Sequence, residues 1–413
     1  MTTRSYFRAV LLVTAFGCVA GARDLSAQAV RDSAGIRIVM NTKSTWTPAQ
    51  QLQLSAKPTL VVGTQDSDTP RPKSIRGAFY LSDGRIVVGE RLSAELRVYD
   101  ASGKYLTTFG RKGEAPGEFR EFGKTVRLAG DTIAVFHEDA SISRFTSSGK
   151  FITRTRDQSP LVGLPTSFTD ALVALNGGAR VTMTERIDRP VGAIGSRIDA
   201  TGTVEVVRGD GVSTKKPGEL ALMQATVGKS GRPRQLWLAA EAVYADNGSQ
   251  FVFGYGTSYS LTKYSAEGVP TLIVRREWTP APVSSKDWEE WTDEWLKRWS
   301  KKTGAALAAE RQDLLDDDYQ DALPAFSAVV LDNTGKLWVR APKTIDGAVA
   351  GSLNDYPIGP STWSVFSDTG IWLGDVVMPS KFEPTDIGKD YVLGIARDDD
   401  VTPTVVRYKL GPK

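Results

Sequence analysis

Cysteine and histidine are almost missing from these 413 residues: there is one of each, Cys18 and His137. Cys18 lies in the amino-terminal run described below. The rest of the chain therefore has no thiol for a disulfide, a nucleophile or a thiolate metal site. One histidine excludes every site that needs two, the zincin pair and the facial triad included. Long apolar runs are also scarce. "AVLLVTAFGCVAGA" (9–22) is too short and too rich in Gly and Ala to span a bilayer, and nothing later in the chain is longer. Arg4 and Arg8 precede this run, and Ala27 and Ala29 follow with the small-residue spacing that signal peptidase accepts. A signal over 1–29, cleaved after Ala29, is the expectation. Bulky Phe16 fits a lipoprotein box poorly, so anchoring through Cys18 is the lesser reading.

A dominant charge is absent too. The chain holds 51 basic and 48 acidic residues, and removal of 1–29 leaves 48 and 47. No nucleic-acid footprint remains. An exported chain without disulfides must be held by its core, and the 384 residues after position 29 can build a large one.

What the sequence does contain is repetition. "VYDASGK" (98–104), "RFTSSGK" (144–150), "RIDATGT" (197–203), "KYSAEGV" (263–269) and "VFSDTGI" (365–371) share one pattern. An apolar or aromatic residue leads into small polar residues and a glycine. Asp, Ser and Thr can bond to the local backbone and Gly accepts positive φ, so each predicts a hairpin turn. Short strand-like runs surround the turns. In the first unit they are "GAFYLSDG", "RIVVGER", "ELRVYD" and "KYLTTFG", a four-stranded meander that three later units repeat. Four-stranded units repeated radially make a propeller.

The stretch "DGRIVVGERLSAELRVYDASGKYLTTFGRKGEAPGEF" resembles the NHL-type repeat of six-bladed β-propellers, with Glu90 where that family usually carries Asp. Later units match at the turns but lack the Gly/Pro-rich loop. The resemblance spans roughly 57–410 and implies an all-β fold of six four-stranded blades; it implies little about activity. "TTFGRKGEAPGEF" (107–119) then reads as the passage from one blade to the next, not a phosphate loop, because neither the P-loop spacing nor a βαβ context is present. "VVRYKL" (405–410) ends the chain one strand short of a sixth blade. "KPTLVVGT" (57–64) is the expected closing strand, and "GIRIVMN" (35–41) is a further strand without an assigned place. The organisation expected is a signal (1–29), an amino-terminal segment (30–56) and the propeller (57–413).

One insertion, between the fourth and fifth blades, breaks the β pattern. Trp288, Trp291, Trp295 and Trp299 fall at helical spacing, with Ser285 as N-cap, and a second helix is expected over 305–320. Residues 281–322 carry 11 acidic and 6 basic side chains. The stripe reads either as packing for the helices or as a lid whose exposed indoles meet a sugar or peptide.

Matching each unit to the first brings Glu90, His137, Glu185, Tyr255 and Arg340 to equivalent positions on one face. Arg91, Glu138, Asp139 and Arg186 follow directly, and Arg71 and Arg76 flank the entry to the first blade. This mixed-charge ring suits a polar, partly anionic ligand, since Arg holds carboxylates in a planar fork while carboxylates accept hydroxyls. The plainer alternative is salt-bridged strand ends, and His137 beside two acids reads as a general base or as a simple surface histidine. Two functions follow. The first is an exported, monomeric, non-catalytic module, periplasmic or extracellular, that binds a polar small molecule, glycan, peptide or protein without a cofactor. The second is a lactonase or lyase-like hydrolase holding calcium through carboxylates in the central channel. Peptide lyases of the NHL type use several histidines, which a single His137 cannot supply.

Overall fold

The computed structural model describes residues 28–63, 71–120, 122–137, 139, 141–155, 167–186, 193, 195–227, 233–342 and 357–413. The described strands form six sheets, met in chain order and antiparallel apart from an amino-terminal belt. The first comprises Ile75–Tyr80, Ile86–Glu90, Glu95–Tyr99 and Tyr105–Phe109. The second comprises Thr125–Arg127, Ile133–Phe136, Ile142–Phe145 and Phe151–Thr155. The third has longer strands, Ser167–Ala174, Arg180–Arg186, Arg197–Val207 and Ser213–Val227, with Pro233–Gln235 added at its edge. The fourth is built on Ala242–Asp246, Gln250–Tyr255, Ser260–Ser265 and Pro270–Arg276. The fifth comprises Ala328–Leu331, Leu337–Arg340, Ser361–Phe366 and Trp372–Met378. The sixth has three strands from its own stretch of chain, Phe382–Ile387, Tyr391–Arg397 and Pro403–Pro412.

The second strands Ile86–Glu90, Ile133–Phe136 and Leu337–Arg340 are buried along their whole length, so both faces of a sheet pack against neighbours rather than on one central core. Six hydrophobic clusters result, one at each junction of consecutive sheets. Val87, Leu96, Phe119 and Ile133 fill the first–second junction, and Leu128, Phe136, Ile142 and Ala174 the second–third. Val204, Phe251 and Tyr264 join third to fourth. Val252, Leu261, Leu337 and Phe366 join fourth to fifth, and Trp338, Trp363, Phe382 and Tyr408 join fifth to sixth. Ile75, Ile86, Leu393 and Val405 join sixth to first. The arrangement is propeller-like.

Four of the five repeated turns form by one device. The side-chain oxygen of the first polar residue accepts the backbone N–H four residues on: Asp100 from Lys104 (3.0 Å), Thr146 from Lys150 (3.1 Å), Ser265 from Val269 (3.4 Å) and Ser367 from Ile371 (3.0 Å). Gly103, Gly149, Gly268 and Gly370 take the positive φ that closes each turn. The fifth expectation is corrected. Gly202 lies inside the strand Arg197–Val207, where a Cβ would come within 2.6 Å of Leu222. The β-branched run through Thr201, Thr203, Val204 and Val206 carries the strand onward, and the turn falls at Arg208–Gly211 instead.

"TTFGRKGEAPGEF" is an inter-sheet passage. Gly110 turns the chain at φ 80°, the Phe119 ring occupies the space a side chain there would need, and Arg111 pairs with Glu118 at 2.7 Å. Phe119 is then fully buried at the next junction.

The amino-terminal chain forms a belt. Ile36–Asn41 adds in parallel to Pro270–Arg276 at the rim of the fourth sheet, and Gln28–Ser33 folds back outside it. Thr45 and Trp46 donate their N–H groups to Trp372 and Leu373 of the fifth sheet. Leu52–Leu54 and Leu60–Val61 both pair with Pro403–Pro412, supplying the outer edge that the sixth sheet lacks. Gly63 then donates to Gly103 of the first sheet at 3.1 Å. The expected strand at 57–64 is thus present at Leu60–Val61, and the unassigned strand has its place. The belt is pinned by Asn41, a fully buried side chain that donates to the carbonyls of Arg275 and Gly370 and accepts from the Trp372 N–H.

Asn41→Ala leaves those three backbone groups without their partner and should cost about 2 kcal/mol of unfolding free energy. Guanidinium denaturation checks this, with exposed Lys43→Ala as control; equal loss in both variants would mean that the belt does not hold the ring.

Candidate functional site

The innermost strands of the first, second, fourth, fifth and sixth sheets surround an axial cavity of about 390 Å³. The positions that start these strands and end the second strands lie together on one face, because the pairs are Ile75 with Glu90, Ala242 with Tyr255 and Ala328 with Arg340. The surroundings of the residues at these positions differ from one to the next.

Glu90 is a loop clasp. Its carboxylate accepts the N–H groups of Ser74 (2.8 Å), Leu92 (3.3 Å) and Ser93 (3.1 Å) and the Ser93 hydroxyl (2.9 Å). Burial opposes its ionisation, yet these bonds hold its pKa below the usual carboxylate value. Asp139 does the same for the next loop through Ser141 and Arg154. His137 is not a surface group: it is 6% exposed, its Nε2 lies 2.9 Å from the Ser143 hydroxyl and its ring packs on Phe119. Ser143 is buried as well, and neither residue lines the cavity, so this pair is no accessible nucleophile and base. Arg71 and Arg91 are exposed, and Arg71 borders a small outer groove beside Tyr99 and Pro403. Tyr255 is half-buried at its strand end. Glu185 and Arg186 end the second strand of the third sheet, but their side chains, like Glu138 as a whole, lie outside the described residues.

Arg76 does line the cavity, and with it come residues that the sequence reading missed. Arg397 is the sixth sheet's counterpart of Arg340, one step past the second-strand register; the same alignment extended to "YVLGIAR" would have found it. Glu383, on the innermost strand of the sixth sheet, had no signal of its own. Burial pushes its pKa above the usual value, and Arg340, Arg397 and Arg76 pull in the opposite direction. Arg340 is buried, donates to the Ser327 hydroxyl at 2.9 Å and acts on Glu383 without lining the cavity itself. Elsewhere on the wall, Asp386 accepts bonds from the Tyr80 N–H (2.9 Å), Asn333 (2.6 Å) and the Tyr391 hydroxyl (3.0 Å). Asp246 faces Lys124.

The helical insertion consists of α1 (Ser285–Trp299) and α2 (Gly304–Leu315). Its N-cap is Ser284 rather than Ser285, in a reciprocal capping box with Asp287. It leans on the third sheet at the end where the second strands finish: Arg197 pairs with Asp318 at 3.2 Å, and Gln320 bonds Gln224 at 2.6 Å. The lid of exposed indoles is corrected. Trp288 and Trp291 are each 2% exposed and stacked on one another, with Tyr319 on the far side of Trp288 and Trp237 against Trp291 and Trp295. The Trp299 side chain is outside the described residues. Indoles at helical spacing were most easily buried by turning that stripe onto the ring.

Calcium is the ion that a lactonase-type channel implies, and among the described residues the cavity donors do not fit it. Glu383 faces three arginines, Asp386 is saturated by three donors and Asp246 faces a lysine. Among the described residues no group of three or more His, Cys, Asp or Glu side chains is placed to hold a metal.

These sheets and their axial cavity define an all-β, propeller-like protein. Among the described residues no helix is long and apolar enough to cross a membrane. No protein-family model matches the chain, and no curated protein matches it. Solved structures similar to it include a member of the DUF4221 family from Bacteroides vulgatus, 12% identical, covering 88% of this chain and 100% of that one at a TM-score of 0.49. A Bacteroides fragilis protein classed as exported is 14% identical over 91% of this chain and 99% of its own, at 0.48. The calcium-binding protein regucalcin from Agrobacterium tumefaciens is 14% identical over 83% and 93%, at 0.39.

Glu383 gives the cavity a pH signature. With a folded-state pKa above the ordinary 4.5, the native chain holds this proton more tightly than the unfolded one. Its contribution to stability is thus full below pH 4.5 and is lost as pH rises through the raised value. Relative to Glu383→Gln, the unsubstituted protein should lose stability progressively as pH rises above 4.5; a difference that stays constant across chemical denaturation curves taken upward from that pH would refute the shift.

Proposed function

We propose that this protein is an exported, non-catalytic binding module whose axial cavity takes a polar ligand bearing an anionic group. In this reading the six sheets form a closed six-bladed ring of NHL-type repeats running from 57 to 413, completed by the amino-terminal belt. Residues 1–29 are the export signal, and the mature chain works as a monomer in the periplasm or outside the cell.

One observation carries the binding reading: Arg76, Arg397 and Glu383 are among the residues that line a cavity of about 390 Å³. That volume suits a small molecule, and a planar guanidinium fork matches a carboxylate in geometry and charge. Glu383 and the backbone of the inner strands offer acceptors for hydroxyl or amide hydrogens. The calcium-dependent hydrolase has no comparable support, because the cavity carboxylates face cations and hydrogen-bond donors. His137, the side chain best suited to proton transfer near neutral pH, is buried at a sheet junction.

Calorimetry with a panel of small mono- and dicarboxylates tests the cavity. At least one should bind, and Arg397→Ala should weaken it by about 1–3 kcal/mol with little change in melting temperature. Failure of every carboxylate to bind, or full binding by the variant, would count against the proposal. Export is tested separately by expression from Met1 in a bacterial host. The product should leave the cytoplasm and begin at Val30, the third residue of the outermost strand Gln28–Ser33; a lipid-blocked Cys18 or an uncut cytoplasmic chain would overturn it.

A further inference from the structure

Asp246 ends the innermost strand of the fourth sheet and lines the axial cavity. Its side chain is 3% exposed. Burial raises its pKa, opposed by Lys124 and by the Gly248 N–H. Yet Oδ2, fully buried, accepts no hydrogen bond. The nearest cation is Lys124 Nζ, 3.8 Å away. That separation compensates charge, but it is longer than the roughly 2.7–2.9 Å of a charge-assisted hydrogen bond. A buried carboxylate oxygen in this condition is a strong acceptor waiting for a donor.

Lys124 reaches Asp246 from the second sheet, past the third, so the pair joins sheets that are not neighbours. The lysine side chain is 38% exposed, and its ammonium also lies 6.0 Å over the Phe136 ring. A tethered ammonium at that reach neutralises Asp246 without completing its bonding. An untethered ammonium in the cavity has no such restriction. Arg76 and Arg397 line the same cavity from the first and sixth sheets. In the order of sheet packing the first lies three sheets from the fourth in either direction. The cavity therefore holds a carboxylate oxygen without a hydrogen bond on the fourth sheet, and two arginines, with Glu383 between their charges, on the first and sixth.

The geometry points to a dipolar ligand, a compound with a primary ammonium at one end and a carboxylate at the other, with Lys124 holding the place of the ligand ammonium at Asp246. This inference rests on the binding reading above and names its ligand class: an amino acid with separated charges, or a short peptide. Asp246 receives the ammonium, Lys124 swings towards solvent along its exposed side, and the arginine wall receives the carboxylate. Neutral hydroxylated compounds and simple carboxylates fill only part of this site.

The probes are 4-aminobutyrate and 6-aminohexanoate, each against the alkanoate of the same length, butyrate or hexanoate, measured by calorimetry on the full-length mature protein. At least one amino acid should bind about tenfold or more tightly than its alkanoate, the gain of one charge-assisted bond to a buried acceptor. Asp246→Asn should erase that preference and leave alkanoate binding unchanged. Lys124→Met removes the competing cation and should tighten aminoalkanoate binding several-fold, a gain that damage to the fold does not produce. Equal binding of both probe types, or a preference that survives Asp246→Asn, overturns the dipolar ligand while leaving the cavity reading in place. If no carboxylate of either kind binds, the cavity reading falls and this inference with it. Should Asp246→Asn not fold, Lys124→Met decides alone: unchanged or weaker aminoalkanoate binding overturns the proposal.

Discussion

The pairing of the amino-terminal belt with the last strand of the chain is the constraint on which the rest depends. Sheets stacked around an axis bury their faces against one another, and such a stack has two ends unless the first sheet meets the last. Here Leu60–Val61 and Leu52–Leu54 hydrogen-bond to Pro403–Pro412, and the apolar cluster of Ile75, Ile86, Leu393 and Val405 fills the junction of sixth and first sheets. Without disulfides, that junction rests on backbone pairing and side-chain burial alone. The belt extends the join over four sheets, so its contribution is shared among Asn41, Trp46, Leu60 and Gly63 instead of resting on one strand.

That constraint also makes the cavity. Innermost strands of several sheets border one cavity, so residues distant in sequence, such as Arg76 and Glu383, meet there. Carboxylates placed there are removed from bulk water and find different solutions. Asp386 is satisfied by three donors, Glu383 is set among three arginines and Asp246 is left with a distant lysine. Glu90 and Asp139, at the strand ends, are spent on holding loops. A carboxylate with its bonds filled is architectural; one with an unmet oxygen in a cavity is available to a ligand.

Much of the fold is legible in the sequence because it is local. The turns at Gly103, Gly149, Gly268 and Gly370 follow from a polar residue and a glycine at fixed spacing, each formed by contacts within five residues. Gly202 shows the limit: the same letters appear, but the glycine accommodates Leu222 from the neighbouring strand, a contact no local pattern reveals. The tryptophan stripe shows another. Its period announced a helix correctly, while the choice between packing and display depended on Trp237 and Tyr319, outside the helix. The strand-end register groups Glu90, His137, Tyr255 and Arg340, yet register is silent about what each side chain bonds. It therefore did not distinguish the clasp at Glu90 or the buried ring of His137 from a ligand contact.

By itself the sequence determined the all-β class, the four-stranded unit and the helical insertion. Strand period and turn chemistry are properties of short stretches. Only the tertiary structure decided that Lys124 would stand before Asp246, that Arg340 and Arg397 would bear on Glu383, and that His137 would be sealed against Phe119. Those environments arise from sheets brought together, where charge and burial depend on neighbours beyond the reach of a single strand or turn, and no local pattern encodes them.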